Sequence, residues 1–377
     1  MKHISIYSIT ILLFLFVASL VSAQDKDEKR MSFKVKAGGK LELDVNPGDI
    51  EIETWNKNEV QVWVSGIDVE DEQHLDVFLK NNIVYVKYLS GWGWSEGAEF
   101  SINIPANFKV DVKTTGGDIV VSGKVNGDVT LNSSGGDIST ESIDGDVSIA
   151  TAGGDVTTGN IEGELKLKTQ GGDIETGMVS GDKTYLTTMG GNIDIQGAKN
   201  ELEANTFGGD ITVGKIGGRS NIKTFGGDIS IQESKNYTSA ETYGGDIEIQ
   251  KGTGEFNIST QGGDLELLQI KGSGRIKTNR GGILLELLSA DGELDIDAAN
   301  DEIVLRIPSN IKATIIAEIT GYGWSAGDNP FEIISDFEHT TENLNRGNKN
   351  STFNINGGGN QINLRTSNAN IRIEKLK

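Results

Sequence analysis

Cysteine is missing altogether from this sequence of 377 residues. A disulfide framework is therefore excluded, and so is a diacylglyceryl-cysteine lipid anchor. Histidine is nearly missing too: after His3 only His74 and His339 occur, in separate terminal regions. Ser-His-Asp and Cys-His catalysis have correspondingly little to work with. Proline is down to four residues and aromatics to 6%. The apolar run Ile9–Leu20 falls short of the roughly 20 residues that cross a bilayer core of about 30 Å. With Lys2 before it and Val21-Ser22-Ala23 after it, the stretch 1–23 reads instead as a secretory signal peptide. Positive charge is scarce: 34 Lys and Arg face 55 Asp and Glu, a net charge of −21. Removing the signal takes away Lys2 and no acid, leaving 33 − 55 = −22. That sign repels nucleic acid phosphates and anionic lipid headgroups. The mature chain is expected to be secreted, in the periplasm or at the cell surface, with no transmembrane segment.

What is abundant is glycine, 50 residues of it, and it is periodic. Gly-Gly-Asp ends at Asp118, Asp137, Asp155, Asp173, Asp210, Asp228, Asp246 and Asp264, with Gly-Gly-Asn at Asn192 and Gly-Gly-Ile at Ile283. Neighbouring marks are 18 or 19 residues apart throughout. A weaker mark stands half-way, at Asp128, Asp146, Glu164, Asp182, Glu255 and Glu293. A fixed period of this length is the signature of a stacked repeat architecture. Within a unit the apolar residues alternate, as in Ile211/Val213, Ile229/Ile231 and Val147/Ile149. Period-two spacing over so few residues predicts short half-buried strands, and Gly, Asn and Asp between them predict turns. One such unit cannot bury its apolar face, whereas units stacked about 4.8 Å apart can. The expected fold is all-β: a parallel β-solenoid, or β-helix, of about 18 residues per coil with two main strands.

Parity assigns the sides. In VSIATAGGDV the inward residues Val147 and Ile149 place Thr151 inward, and the same position holds Thr114, Ser133, Thr169, Thr188, Thr206, Thr224, Thr242 and Thr260. These are expected to form an internal hydroxyl ladder from coil to coil. The paired glycines are expected to supply unusual backbone angles, and the Asp to bond N–H groups of its own corner. The column after the Thr should face outward. In four successive coils it presents Met189, Phe207, Phe225 and Tyr243, a candidate binding stripe.

The regular array spans 113–301, between an N-terminal β region and cap at 24–112 and C-terminal coils and cap at 302–377. PGDIEIETWNKNEVQVWV (47–64) copies the unit, with Glu59 ten residues after Asp49, and TSNANIRI (366–373) copies TTGGDIVV. Two Gly/aromatic insertions, LSGWGWSEGAEF and ITGYGWSAGDNPFEI, carry Trp92, Trp94 and Trp324, a secondary binding candidate. The five Trp, all outside the array, are expected chiefly to plug the ends of the core, with sugar stacking the sharper alternative.

The signal peptide, LELDVNPGDIEIETW, FSINIPANFKVDVKTTGGDI and INGGGNQINLRTSNANIRI together resemble the bacterial putative-adhesin family of Gly-Gly-Asp-repeat β-solenoid proteins. The resemblance covers nearly the whole mature chain. It implies the solenoid fold and an adhesive role, but no reaction and no catalytic residue.

Calcium has to be weighed, because related nonapeptide repeats bind it. Here the second glycine of that signature is absent and Asn192 sits in the Asp column, which favours a turn role. No metal or cofactor is expected. Active sites usually break a repeat with a long loop, and none does so between Thr114 and Ile283. The expectation is thus an exported, non-enzymatic surface or envelope module that binds a protein or glycan. The alternatives are a carbohydrate-active β-helix enzyme and a ligand-free envelope scaffold.

Overall fold

Each short alternating run becomes one strand, laid on its equivalent one repeat away. The computed structural model describes residues 28–67, 71–89, 97–321, 329–345 and 347–376. The signal segment and Trp92, Trp94 and Trp324 lie outside the described residues. Val129–Asn132 pairs in parallel with Val147–Ala150, which pairs with Leu165–Lys168; these strands belong to the first face of the coil. Ile138–Thr140 pairs in parallel with Val156–Thr158, and that with Ile174–Val179, on the second face. Among the described residues there is one 3-10 turn, Glu72–His74, and no α-helix. The protein is a parallel β-solenoid.

The structure adds a third inward column that the period-two reading missed. Val125, Ile143, Ile161 and Val179, which follow the second face in successive coils, are joined coil to coil by single parallel bridges, and all four are buried. One apolar residue per coil has no alternation to announce it. In later coils this side zips up, and Ile229–Glu241, Leu265–Thr278 and Ile283–Ala298 run unbroken from the second face to the first. The bend is taken up in register at Asn236, Gly254 and Gly272, all with positive φ.

The Thr column is buried, as parity requires, but the hydroxyls do not chain to one another. Thr224 Oγ1 donates to the Gly209 carbonyl of the preceding coil at 2.8 Å and accepts from the Gly227 N–H of its own corner at 3.2 Å. Thr169, Thr188, Thr206, Thr242 and Thr260 repeat this bridge. The corner carbonyl points along the stacking axis and captures the single hydroxyl proton. A hydroxyl-to-hydroxyl bond occurs instead on the second face, from Thr158 to Thr176 at 2.7 Å.

The role expected of the glycines is also corrected. Positive φ occurs in the Gly-Gly corners at the array's ends, at Gly117 and Gly281. Between them the second glycine is needed for space. A Cβ on Gly227 would stand 2.2 Å from the Gly209 oxygen, far inside contact distance. A Cβ on the first glycine, Gly226, would meet nothing nearer than 3.5 Å.

Both ends are interleaved. The first coil in the chain, Gly39–Asn46 and Gly48–Trp55, lies between the array strands Phe108–Thr114 and Ile119–Ser122 and an outer coil made of Ile83–Leu89 and Ala98–Pro105. The last strands, Asn360–Ser367 and Ile371–Lys375, insert likewise between the array and the outer strands Ala313–Thr320 and Ile333–Ser335. Thr366 keeps its columnar place, buried and donating to the Asp301 carbonyl at 2.8 Å. Glu59 does not continue the repeat: Glu59–Ser65 turns back antiparallel onto Ala98–Pro105. Antiparallel strands are what can close a parallel stack without another coil. Trp55 and Trp63 are only half-buried, so they do not plug the core. Tyr88 and Phe100 lie buried in the outer coil at one end and Phe353 at the other.

Thr224→Val keeps the shape of the side chain and leaves a buried carbonyl and N–H without their bridge. The expected loss is about 1–3 kcal/mol, read by denaturant unfolding. An unchanged midpoint would show that the bridge contributes nothing.

Candidate interaction face

The corner backbone places the stripe. Gly208 N–H donates to the Met189 carbonyl at 3.0 Å, Gly226 N–H to that of Phe207 at 3.1 Å, and Gly244 N–H to that of Phe225 at 3.2 Å. Met189, Phe207 and Phe225 are thereby each bonded to the corner one coil further on. Their side chains point out: Met189 is 60% exposed, Phe207 63%, and Phe225 and Tyr243 47% each. Phe207 and Phe225 stack at 4.8 Å between centroids with planes 2° apart, and Phe225 and Tyr243 at 4.5 Å and 18°. The ring faces are turned on one another, within the range of favourable aromatic contact. The edges of the ladder, with the Met189 thioether at its end, are what a partner would meet.

Next to the stripe runs the Asp column, and its bonds cross between coils rather than closing their own corner. Asp228 N–H donates to Asp210 Oδ1 at 2.8 Å, and Asp228 Oδ1 accepts from Asp246 N–H at 2.8 Å. Asn192 fits the same chain, donating its N–H to Asp173 Oδ1 at 2.6 Å and accepting from Asp210 N–H at 2.8 Å. The half-way marks repeat the device: Glu164 N–H donates to Asp146 Oδ1 at 2.9 Å. A coil rise brings the next N–H closer to the carboxylate than any N–H of its own turn. On the adjoining face, burial first and then the Glu175 carboxylate one coil away hold the Asp194 carboxyl above the usual carboxylate range. Among the described residues no three His, Cys, Asp or Glu side chains are grouped to hold a metal ion.

Away from the stripe a concavity of about 360 Å³ opens where the parallel coils give way to the antiparallel cap. Trp63, Asp49, Glu51, Glu99 and Asp118 line it, with Ser101 at its centre between Trp63 and Glu51 in the strand register. No spacing in the sequence announces it, because it depends on the unexpected antiparallel return of Glu59–Ser65.

Residues 39–251 match the family described as Toastrack DUF4097, and the chain belongs to that family, one of unknown function. A comparison with curated proteins finds no match. Among solved structures, one from Bacteroides fragilis described as a putative adhesin is 16% identical, with 68% of this chain and 98% of that chain covered and a TM-score of 0.27. A putative adhesin from Parabacteroides merdae is 11% identical, with 68% and 96% covered and a TM-score of 0.31. A putative lipid binding protein from Parabacteroides distasonis is 12% identical, with 93% and 97% covered and a TM-score of 0.23. At these scores the likeness carries no function to this chain. No helix among the described residues is long and apolar enough to cross a membrane.

The Asp column makes a backbone role testable. Asp228→Asn retains an acceptor oxygen and should leave the melting temperature nearly unchanged, since Asn192 natively accepts the same N–H bond. Asp228→Ala should lower stability by about 0.5–2 kcal/mol, the range for losing a side-chain cap on backbone N–H. A large fall in melting temperature on adding chelator, restored by Ca²⁺, would instead establish a structural metal.

Proposed function

We propose that the protein is an exported, non-enzymatic interaction module of the cell surface or envelope, adhesive in character, which holds a protein or glycan partner along one corner of the solenoid. The observation that carries this reading is the exposed ladder of Phe207, Phe225 and Tyr243 with Met189 at its end. Contiguous exposed apolar surface on a chain this acidic is a mark of association. The ladder packs on itself, so its rigidity needs no ligand, and a rigid apolar edge binds with little loss of side-chain freedom. Export rests on the signal-like segment 1–23. The unbroken array supports a binding role over catalysis, since no coil in it opens a loop in which acid and base could converge.

Phe207→Ser combined with Tyr243→Ser, with Phe225 kept, should fold with a melting temperature close to wild type, because the side chains lie outside the core. It should lose most binding on a glycan array or in capture from envelope extract, wherever the wild-type mature chain binds. Unfolding of the double variant would make the column part of the core. Folding with binding intact would remove the stripe from the interaction, and the Trp-bearing insertions would take its place.

A further inference from the structure

The outermost strands at the two ends of the second face lie in segments of opposite charge. KRMSFKVK (29–36) carries four positive residues and no acid. FEIISDFEHTTE (331–342) carries four acids and no Lys or Arg. Each segment contains the outermost strand of the second face. Among the described residues, Lys29–Lys34 pairs only with Glu59–Ser65, and Ile333–Ser335 only with Ile371–Lys375. Each therefore has one open edge, at opposite ends of the same sheet.

The charges at these edges point into solvent. Lys34 and Lys36 are exposed and make no ion pair among the described residues, while Lys29 pairs with Glu72 and Arg30 with Glu28. Glu332, Asp336, Glu338 and Glu342 are all exposed, and none pairs with Lys or Arg among the described residues. Strand direction agrees as well. Lys29–Lys34 reaches the array through two antiparallel pairings and so runs with its strands, as Ile333–Ser335 does through parallel ones.

The ends are also stepped in opposite senses. Beyond the first coil the second face adds three strands, ending at Lys29–Lys34, and the first face adds two, ending at Leu75–Lys80. Beyond the last inserted strands the first face adds three, ending at Thr341–Asn345, and the second adds one, Ile333–Ser335. An overhang at one end thus meets a recess at the other.

We infer that the protein associates end to end with further copies of itself, the basic edge around Lys34 and Lys36 against the acidic edge around Glu332 and Glu338. Like ends repel, so a closed two-fold dimer through either end is disfavoured. A basic end attracts only an acidic end, and a head-to-tail contact of this kind repeats without closing. Long charged side chains span the junction, and its strength falls with salt. This inference is independent of the stripe.

Sedimentation velocity of the mature chain tests it. At low ionic strength a series of species growing with protein concentration is expected, dispersing to monomer near 1 M salt, where the screening length is about 3 Å. Lys34→Glu with Lys36→Glu makes both ends acidic and should be monomeric. Glu332→Lys with Asp336→Lys and Glu338→Lys leaves Glu342 as the one acid of the segment, makes both ends basic and should also be monomeric. Mixed together, the two variants should restore the series in alternation, because every acidic end then finds a basic one, and all five substitutions in one chain should restore it as well. All the substituted side chains are exposed, so circular dichroism should match wild type. Monomeric wild type at every concentration in low salt would overturn the inference. So would association that survives high salt or charge reversal, or a mixture of the two variants that stays monomeric.

Discussion

Successive corners approach so closely that a Cβ on Gly227 would lie 2.2 Å from the Gly209 oxygen, and the same clash recurs at Gly209, Gly245 and Gly263 within 0.1 Å. Everything else in the array follows from that contact. Because the corner peptides touch, the Thr hydroxyl of one coil reaches the Gly carbonyl of the coil before, and an Asp carboxylate reaches the N–H of the coil after. Both bonds are short only if the corners are in register. The register in turn stacks Ile on Ile and Val on Val along each face, where burial of apolar surface at about 25 cal/mol per Å² supplies the main driving force.

The same contact explains why function lies in columns. A residue cannot leave its place in a coil without breaking the bonds of two neighbours, so a surface feature grows by repetition along the axis. The aromatic ladder is such a feature: ring spacings of 4.8 and 4.5 Å are the coil rise expressed in side chains. The acidic columns are another. In the Gly-Gly-Asp column each carboxylate has one oxygen bound to backbone, which fixes the charge at the corner beside the rings.

At the ends the constraint is lifted, and the solution changes from repetition to interleaving. The outer coil at each end is not the terminal segment of the chain, and antiparallel strands follow it. The large buried rings Tyr88, Phe100 and Phe353 occur where no further coil covers the core. Charge segregates there too, with Lys and Arg on one open edge and Asp and Glu on the other.

The sequence by itself determined the coil length, the inward and outward columns and the exposure of Phe207, Phe225 and Tyr243, because a strict period with alternating polarity leaves one way to stack. It also placed Thr366 in its column across a long insertion, since Thr followed four residues later by Asn is the corner's own pattern. The tertiary structure alone decided the partners of the polar groups. Whether Thr224 bonds a hydroxyl or a carbonyl, and whether Asp228 bonds its own corner or the next, depends on sub-ångström differences in approach that no spacing encodes. It alone decided the third column, where one apolar residue per coil carries no alternation, and the return of Glu59–Ser65, where a local copy of the repeat is overridden by the need to cover an open end. The cleft at Trp63 joins residues that are distant in the chain, and only the fold sets the basic stretch 29–36 and the acidic stretch 331–342 on open edges at opposite ends of one sheet.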